Sequence, residues 1–314
     1  MRPIVRGRLF EAGDLSMGTP AEEPRPSETR IGEGVRRTRD VALAHAPERV
    51  HRGRILANRV AMYARNRRMD RTVDRSDPNR FDAILDEYST DAETVFVHVG
   101  LRDVKRAFDR NPYEFLLERL DDRFESVLTQ GFTPAFRSPD GVYHKRFSLP
   151  RFGAFARLFF EECDHRTDDP TNSLLVRGPY RFDDCTHRDT WSPEGAFGKL
   201  DRENVLYLDV GTDWLRASQI HYIESILGVP YMRTVEYDGV VYTDETTYER
   251  VTHRSHAYDG EVRWNRAKLE TGLREAGVLD SYDLSGLQVR AFRARDLREW
   301  LAPRIERDPY YVVT

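Results

Sequence analysis

A histidine and a glutamate three residues apart, His221 and Glu224, stand on a segment whose apolar residues Ile220, Ile223 and Leu227 recur at helical spacing. Side chains three apart on a helix meet, so the carboxylate can orient the imidazole and stabilise its cation. Such a pair makes a general base, able to take a proton from an attacking nucleophile near neutral pH. The segment follows an apolar, β-favouring run, Val205-Leu206-Tyr207-Leu208-Asp209-Val210, which Gly211 ends. Thr212 and Asp213 offer a helix N-cap, and Gly228 and Pro230 stop the helix. Chemistry in open α/β sheets gathers just past the carboxyl ends of strands. Spacing alone leaves open the plain alternatives of a half-buried polar histidine and an exposed helix carboxylate.

Other polar residues invite plainer readings. Asp168 and Asp169 precede Pro170, which suits a turn or a helix cap. His98 falls inside an apolar strand and reads as structural. His221 and Glu224 have workable zinc spacing, but no third ligand cluster joins them, so no metal is expected. Cys163 and Cys185 supply neither a disulfide framework nor metal-ligand spacing.

The elements that must position the pair alternate along the chain. Strands are expected over 94–99, 131–136, 174–176, 205–210 and 289–292, with a hairpin over 235–242 turning at Asp238-Gly239. Helices are expected over 112–128, 152–162, 218–227, 264–276 and 296–305. This alternation predicts an α/β fold, a mostly parallel sheet flanked by helices in three layers. The first 75 residues differ: 11–40 are rich in Gly, Pro, Glu, Arg, Ser and Thr, and 41–69 pattern as a basic helix. They read as a disordered or loosely docked basic extension before a domain over 76–314.

Composition narrows the function. Charged residues make up 32% and hydrophobic ones 39% of the 314, a soluble balance. No apolar run approaches a membrane span or a signal core, so a cytoplasmic protein without membrane partners is expected. A formal charge of −4 gives no sign of nucleic-acid binding. Lysine stands at only four positions, leaving 45 of the 49 basic residues as arginine.

Ser218-x-x-His221-x-x-Glu224 followed by Gly-Val-Pro-Tyr resembles the Thr-x-x-His-x-x-Glu segment of the aminoglycoside N3-acetyltransferase family. Four further stretches follow the family's order over about 79–314. Val97-His98-Val99-Gly100-Leu101 resembles its Val-His-Ser-Ser-Leu turn, with both serines replaced. Ser148 to Ala154 resembles its Ser-x-x-Arg-hydrophobic-Gly-Ala helix entry. Arg166-Thr167-Asp168-Asp169-Pro170-Thr171-Asn172-Ser173 resembles its Arg-Ser-x-His/Asp-Pro-x-x-Ser, and Phe197-Gly198-Lys199-Leu200 completes the set.

The resemblance implies transfer of acetyl from acetyl-CoA to an amine of an aminoglycoside, at the 3-N position by family, or of a related amino sugar. His221 is then the base and Glu224 its orienting acid. Tyr143, Asp168 and Asp169 are expected around the acceptor amine. Val99, Gly100, Leu101, Arg166 and Ser173 are expected around CoA. No nucleophilic residue is needed, because a thioester is already activated, and none with a Gly-x-Ser-x-Gly setting occurs. The partners implied are these two small molecules, with an oligomer possible. The rival reading is a non-catalytic CoA- or ligand-binding homologue of the same fold.

Overall fold

A computed structural model describes residues 72–259 and 262–313. The basic extension lies outside the described residues as far as position 71. By Asp74 the chain is already bonded to the domain: its N–H donates to Ser285 O at 2.9 Å, and that of Ser76 to Ala107 O at 2.9 Å.

The main sheet has seven strands in the order β4-β5-β2-β1-β6-β10-β9. These are β1 (Thr94–Val99), β2 (Ser126–Gln130), β4 (His165–Arg166), β5 (Leu174–Arg177), β6 (Leu206–Val210), β9 (Asp280–Leu284) and β10 (Leu287–Arg293). The parallel pairing predicted from the alternation is found in the central strands, where β2 and β6 flank β1. Both margins are antiparallel, so the sheet is mixed.

Strand residues alternate between two cores, as the two-residue period requires. Val95, Val97, Leu206 and Leu208 face a core covered by α1 (Pro78–Ser89), α2 (Leu101–Phe108), α3 (Pro112–Asp121) and α4 (Ala154–Glu162). Phe96, Tyr207 and Phe292 face the other, covered by α5 (Ala196–Arg202), α6 (Gln219–Ile226), α7 (Arg266–Glu275) and α8 (Ala294–Arg307). These three aromatics lie in register across β1, β6 and β10, with ring centres 4.6 and 4.9 Å apart. Two residues further along, on the same face, His98, Asp209 and Arg290 form a buried polar rung. The sheet turns from apolar to charged where β1 and β6 end.

A smaller sheet joins β3 (Val142–His144), β7 (Met232–Tyr242) and β8 (Tyr248–Tyr258). The hairpin expected at Asp238-Gly239 is not there; β7 runs straight through and turns back only after Tyr242. Gly239 serves close packing instead, since a Cβ there would lie 2.3 Å from Gly141 O and 2.6 Å from the Phe136 ring. The helix expected over 112–128 stops at Asp121, and Val127 and Leu128 pass into β2. The strand expected over 131–136 is therefore displaced, and Ala135–Arg137 form a 3-10 turn. A continuous apolar run across a helix–strand junction carries no signal for where the period changes.

Candidate active site

Helix α6 begins at Gln219, after a loop from the end of β6. Neither Thr212 nor Asp213 caps it. Its apolar residues Ile220 and Ile223 are fully buried, which turns His221 toward a cavity of about 1020 Å³. Gly228, at φ +61, ends the run in a left-handed conformation that favours glycine.

His221 and Glu224 meet, with Nδ1 to Oε2 at 3.4 Å. The glutamate side chain is fully buried while the histidine side chain is 30% exposed. Three donors hold the carboxylate: Tyr231 Oη–H to Oε1 at 2.8 Å, Tyr258 Oη–H to Oε2 at 2.6 Å and Trp264 Nε1–H to Oε1 at 3.1 Å. The Tyr258 hydroxyl also lies 2.8 Å from His221 Nδ1 and 2.9 Å from Trp264 Nε1.

Proton count decides how these contacts run. Burial and the Glu224 carboxylate push the Tyr258 hydroxyl well above the ordinary tyrosine range, so it keeps its proton. That single proton goes to Glu224. The oxygen lone pairs then accept from Trp264 Nε1–H and from His221 Nδ1–H. The imidazole is thereby fixed as the Nδ1–H tautomer, with its Nε2 lone pair left for the cavity. Tyr231 is pushed in the same direction by burial and the same carboxylate. Around the imidazole stand the rings of Trp264, Trp191 and Tyr258, at 4.6, 5.5 and 5.6 Å. Aromatic walls of this kind reduce water access to the imidazole.

The strand-to-helix turn Val99-Gly100-Leu101, followed by Arg102 and Asp103, also lines the cavity. Gly100 is required there by contact, since a Cβ would lie 2.0 Å from Gly211 O. His98 also lines the cavity, and its Nδ1 is 3.0 Å from Asp209 Oδ1. Asp209 Oδ2 accepts from the Arg216 backbone N–H at 2.5 Å. A second acid–histidine pair thus faces the same space, where sequence reading gave His98 a structural part. Among the described residues no group of three or more His, Cys, Asp and Glu side chains gathers as for a metal ion.

The other residues expected around ligands do not line the cavity. Tyr143 is fully buried and donates to Thr167 O at 2.9 Å. Arg166 is buried between the rings of Tyr143 and Phe160, and donates to Ser173 Oγ and to the carbonyls of Gly131, Lys145 and Ser148. Ser173 donates in turn to Gly131 O. Asp168 pairs with Lys145 Nζ at 2.9 Å. Asp169 accepts from the Thr171 and Asn172 backbone N–H groups and from Thr190 Oγ1, beside the buried His253. The motif containing them therefore braces a turn, and of that stretch only Asn172 reaches the cavity. Tyr258, Trp264, Asp209 and Arg266 escaped the sequence reading. Tyr258 and Trp264 approach Glu224 from 34 and 40 residues away in the chain, and no local spacing reports such contacts.

Solved structures share this fold. The YokD protein from Bacillus subtilis superposes with TM-score 0.59 at 12% identity, over 76% of this chain and 96% of that one. AAC-IIIb, in a binary complex with CoASH, gives 0.57 at 15% identity over 72% and 96%. The aminoglycoside acetyltransferase AAC(3)-IVa apoenzyme gives 0.54 at 14% identity over 78% and 93%. No curated protein sequence matches. The aminoglycoside 3-N-acetyltransferase profile, however, matches residues 125–306, more than half of the chain and all of the His221 array. The chain belongs to the aminoglycoside 3-N-acetyltransferase family.

Proposed function

We propose that the protein transfers acetyl from acetyl-CoA to a primary amine of an aminoglycoside, at the 3-N position, or of a related amino sugar. The observation that carries this reading is the base array itself. His221 is held in one tautomer by Tyr258 and Glu224 and offers Nε2 to a cavity of about 1020 Å³.

In the reaction the amine nitrogen attacks the thioester carbonyl carbon and a C–N bond forms. His221 Nε2 takes the proton that the nitrogen must lose. Charge passing to the imidazole is met by the Tyr258 oxygen, itself polarised by the buried Glu224. When the C–S bond breaks, the imidazolium returns the proton to the sulfur, giving CoASH and the amide. No covalent enzyme intermediate is needed. The start of α2 at Leu101 and Arg102 lines the wall where the family resemblance puts CoA, and the neighbour bound to CoASH supports the co-substrate. No helix of the described residues is long and apolar enough to cross a membrane. A cytoplasmic location goes with this reading.

Thiol release from acetyl-CoA, followed against a panel of aminoglycosides and simple amino sugars, tests the proposal. Amine-dependent release that disappears in His221→Ala is the expected result. Binding of CoA without release for any amine would leave a ligand-binding homologue instead.

A further inference from the structure

The loop from β6 to α6 carries Trp214, whose ring gathers two guanidinium groups. Arg266 Cζ lies 3.9 Å from the ring centre and Arg216 Cζ 4.9 Å. Both arginines line the cavity, and Arg266 follows two residues after Trp264, the ring packed on His221.

Neither guanidinium has a carboxylate within 4.0 Å among the described residues, and Arg266 Nη1 is buried without a hydrogen-bond partner. The acids close by are committed elsewhere. Glu270 accepts from Leu215 N–H and pairs with Arg290. Asp209 holds His98 and the Arg216 N–H, and Asp213 faces Arg102. Burial and the neighbouring Arg216 depress Arg266 to about 10. Arg166 shows the contrast: it too has no carboxylate within 4.0 Å among the described residues, yet four oxygens satisfy it.

Two cations on one ring, one with a stranded N–H, are a standing electrostatic cost that a bound anion would relieve. A dianion matches both charges, whereas a single carboxylate leaves one uncompensated. Arg102 and Arg137 line the same cavity, and the acids among its described lining residues, Asp103 and Asp213, both lie within 4.0 Å of Arg102. We infer that Arg216, Trp214 and Arg266 form a phosphate subsite of the cavity. The phosphate belongs either to CoA or to a phosphorylated amino-sugar acceptor, so the inference takes its two candidate ligands from the proposed function. A polycationic aminoglycoside has nothing to place there.

Calorimetry on the full chain separates the sources, using CoA against pantetheine and glucosamine 6-phosphate against glucosamine. The unmodified protein should bind at least one phosphorylated member more tightly than its phosphate-free counterpart. Arg266→Gln and Arg216→Gln should each weaken that member by ~10-fold or more and leave the counterpart unchanged. Arg266→Lys should retain part of the affinity. A loss confined to CoA assigns the group to the co-substrate, and a loss for glucosamine 6-phosphate assigns it to the acceptor. Equal binding of both members by the unmodified protein, or unchanged binding in both variants, overturns the subsite. Should Arg266→Gln fail to fold, the exposed Arg216→Gln carries the test. Phosphate discrimination without any acetyl transfer would sink the proposed activity and leave the subsite standing.

Discussion

The Tyr258 hydroxyl lies 2.8 Å from His221 Nδ1, nearer than the Glu224 carboxylate at 3.4 Å. The carboxylate therefore reaches the imidazole chiefly through a tyrosine carried by the small sheet. His221→Ala should lower kcat by the ~10²–10⁴-fold of a lost general base, with acetyl-CoA affinity nearly unchanged. Tyr258→Phe keeps the ring but removes the bridging oxygen, and should lower kcat less, by roughly 10-fold or more. Steady-state kinetics decide the matter; full activity in Tyr258→Phe would remove the bridge from the mechanism.

Glu224 also bears on stability. Its buried carboxylate satisfies three donors, from Tyr231, Tyr258 and Trp264. Glu224→Ala strands them, at ~1–3 kcal/mol for each buried donor left unpaired. Urea unfolding should show a loss of at least ~2 kcal/mol, a conservative sum given that water can enter the vacated space. Activity lost at unchanged stability would mean that the three donors find other partners.

At Gly100 the backbone of β1 meets that of β6 too closely for any side chain. Gly100→Ala puts a Cβ 2.0 Å from the Gly211 carbonyl oxygen, which cannot rotate away. The cost should reach or exceed the ~1–3 kcal/mol of ordinary overpacking, read as a lower melting temperature. A neutral substitution would show that the two turns can slide apart.

Histidines set the acid side of the stability curve. Burial depresses His165, His187 and His256 below the ordinary 6.5. Between that value and the lower folded values, the unfolded chain binds more protons than the folded one. Stability is therefore fullest above about 6.5 and declines as pH falls through the folded values. Thermal melts should drop over this window, and His187→Gln should shallow the slope. A flat profile from neutral to mildly acid pH would contradict the burial argument.

Much of this architecture is legible in the sequence because it is locally encoded. Strand β1, strand β6 and helix α6 each carry a clean period and a glycine stop, and His221 with Glu224 falls out of one helical turn. The small sheet is less legible: Asp238-Gly239 has the composition of a turn, but Gly239 was chosen by the backbone of Gly141 beside it. The stretch from Arg166 to Ser173 is legible in part: the acids before Pro170 read as a turn, and the family resemblance alone put ligands beside it. The partners of its polar residues are carbonyls and amides of nearby segments. Sequence shows which residues are polar, and only the fold shows whether their partners lie inside the protein.

The bridge from α6 to β8 has a consequence for how activity fades under stress. His221 rides on a helix of the main domain core, whereas Tyr258 ends the long β7–β8 ribbon, which shares few buried apolar side chains with that core. Fraying of the ribbon alone would free the imidazole to spin and swap tautomers while the seven-stranded sheet stayed intact. In mild denaturant, turnover should then collapse before the far-ultraviolet circular dichroism does. On the proposed reading the protein would fall silent while still ordered, with its imidazole no longer aimed.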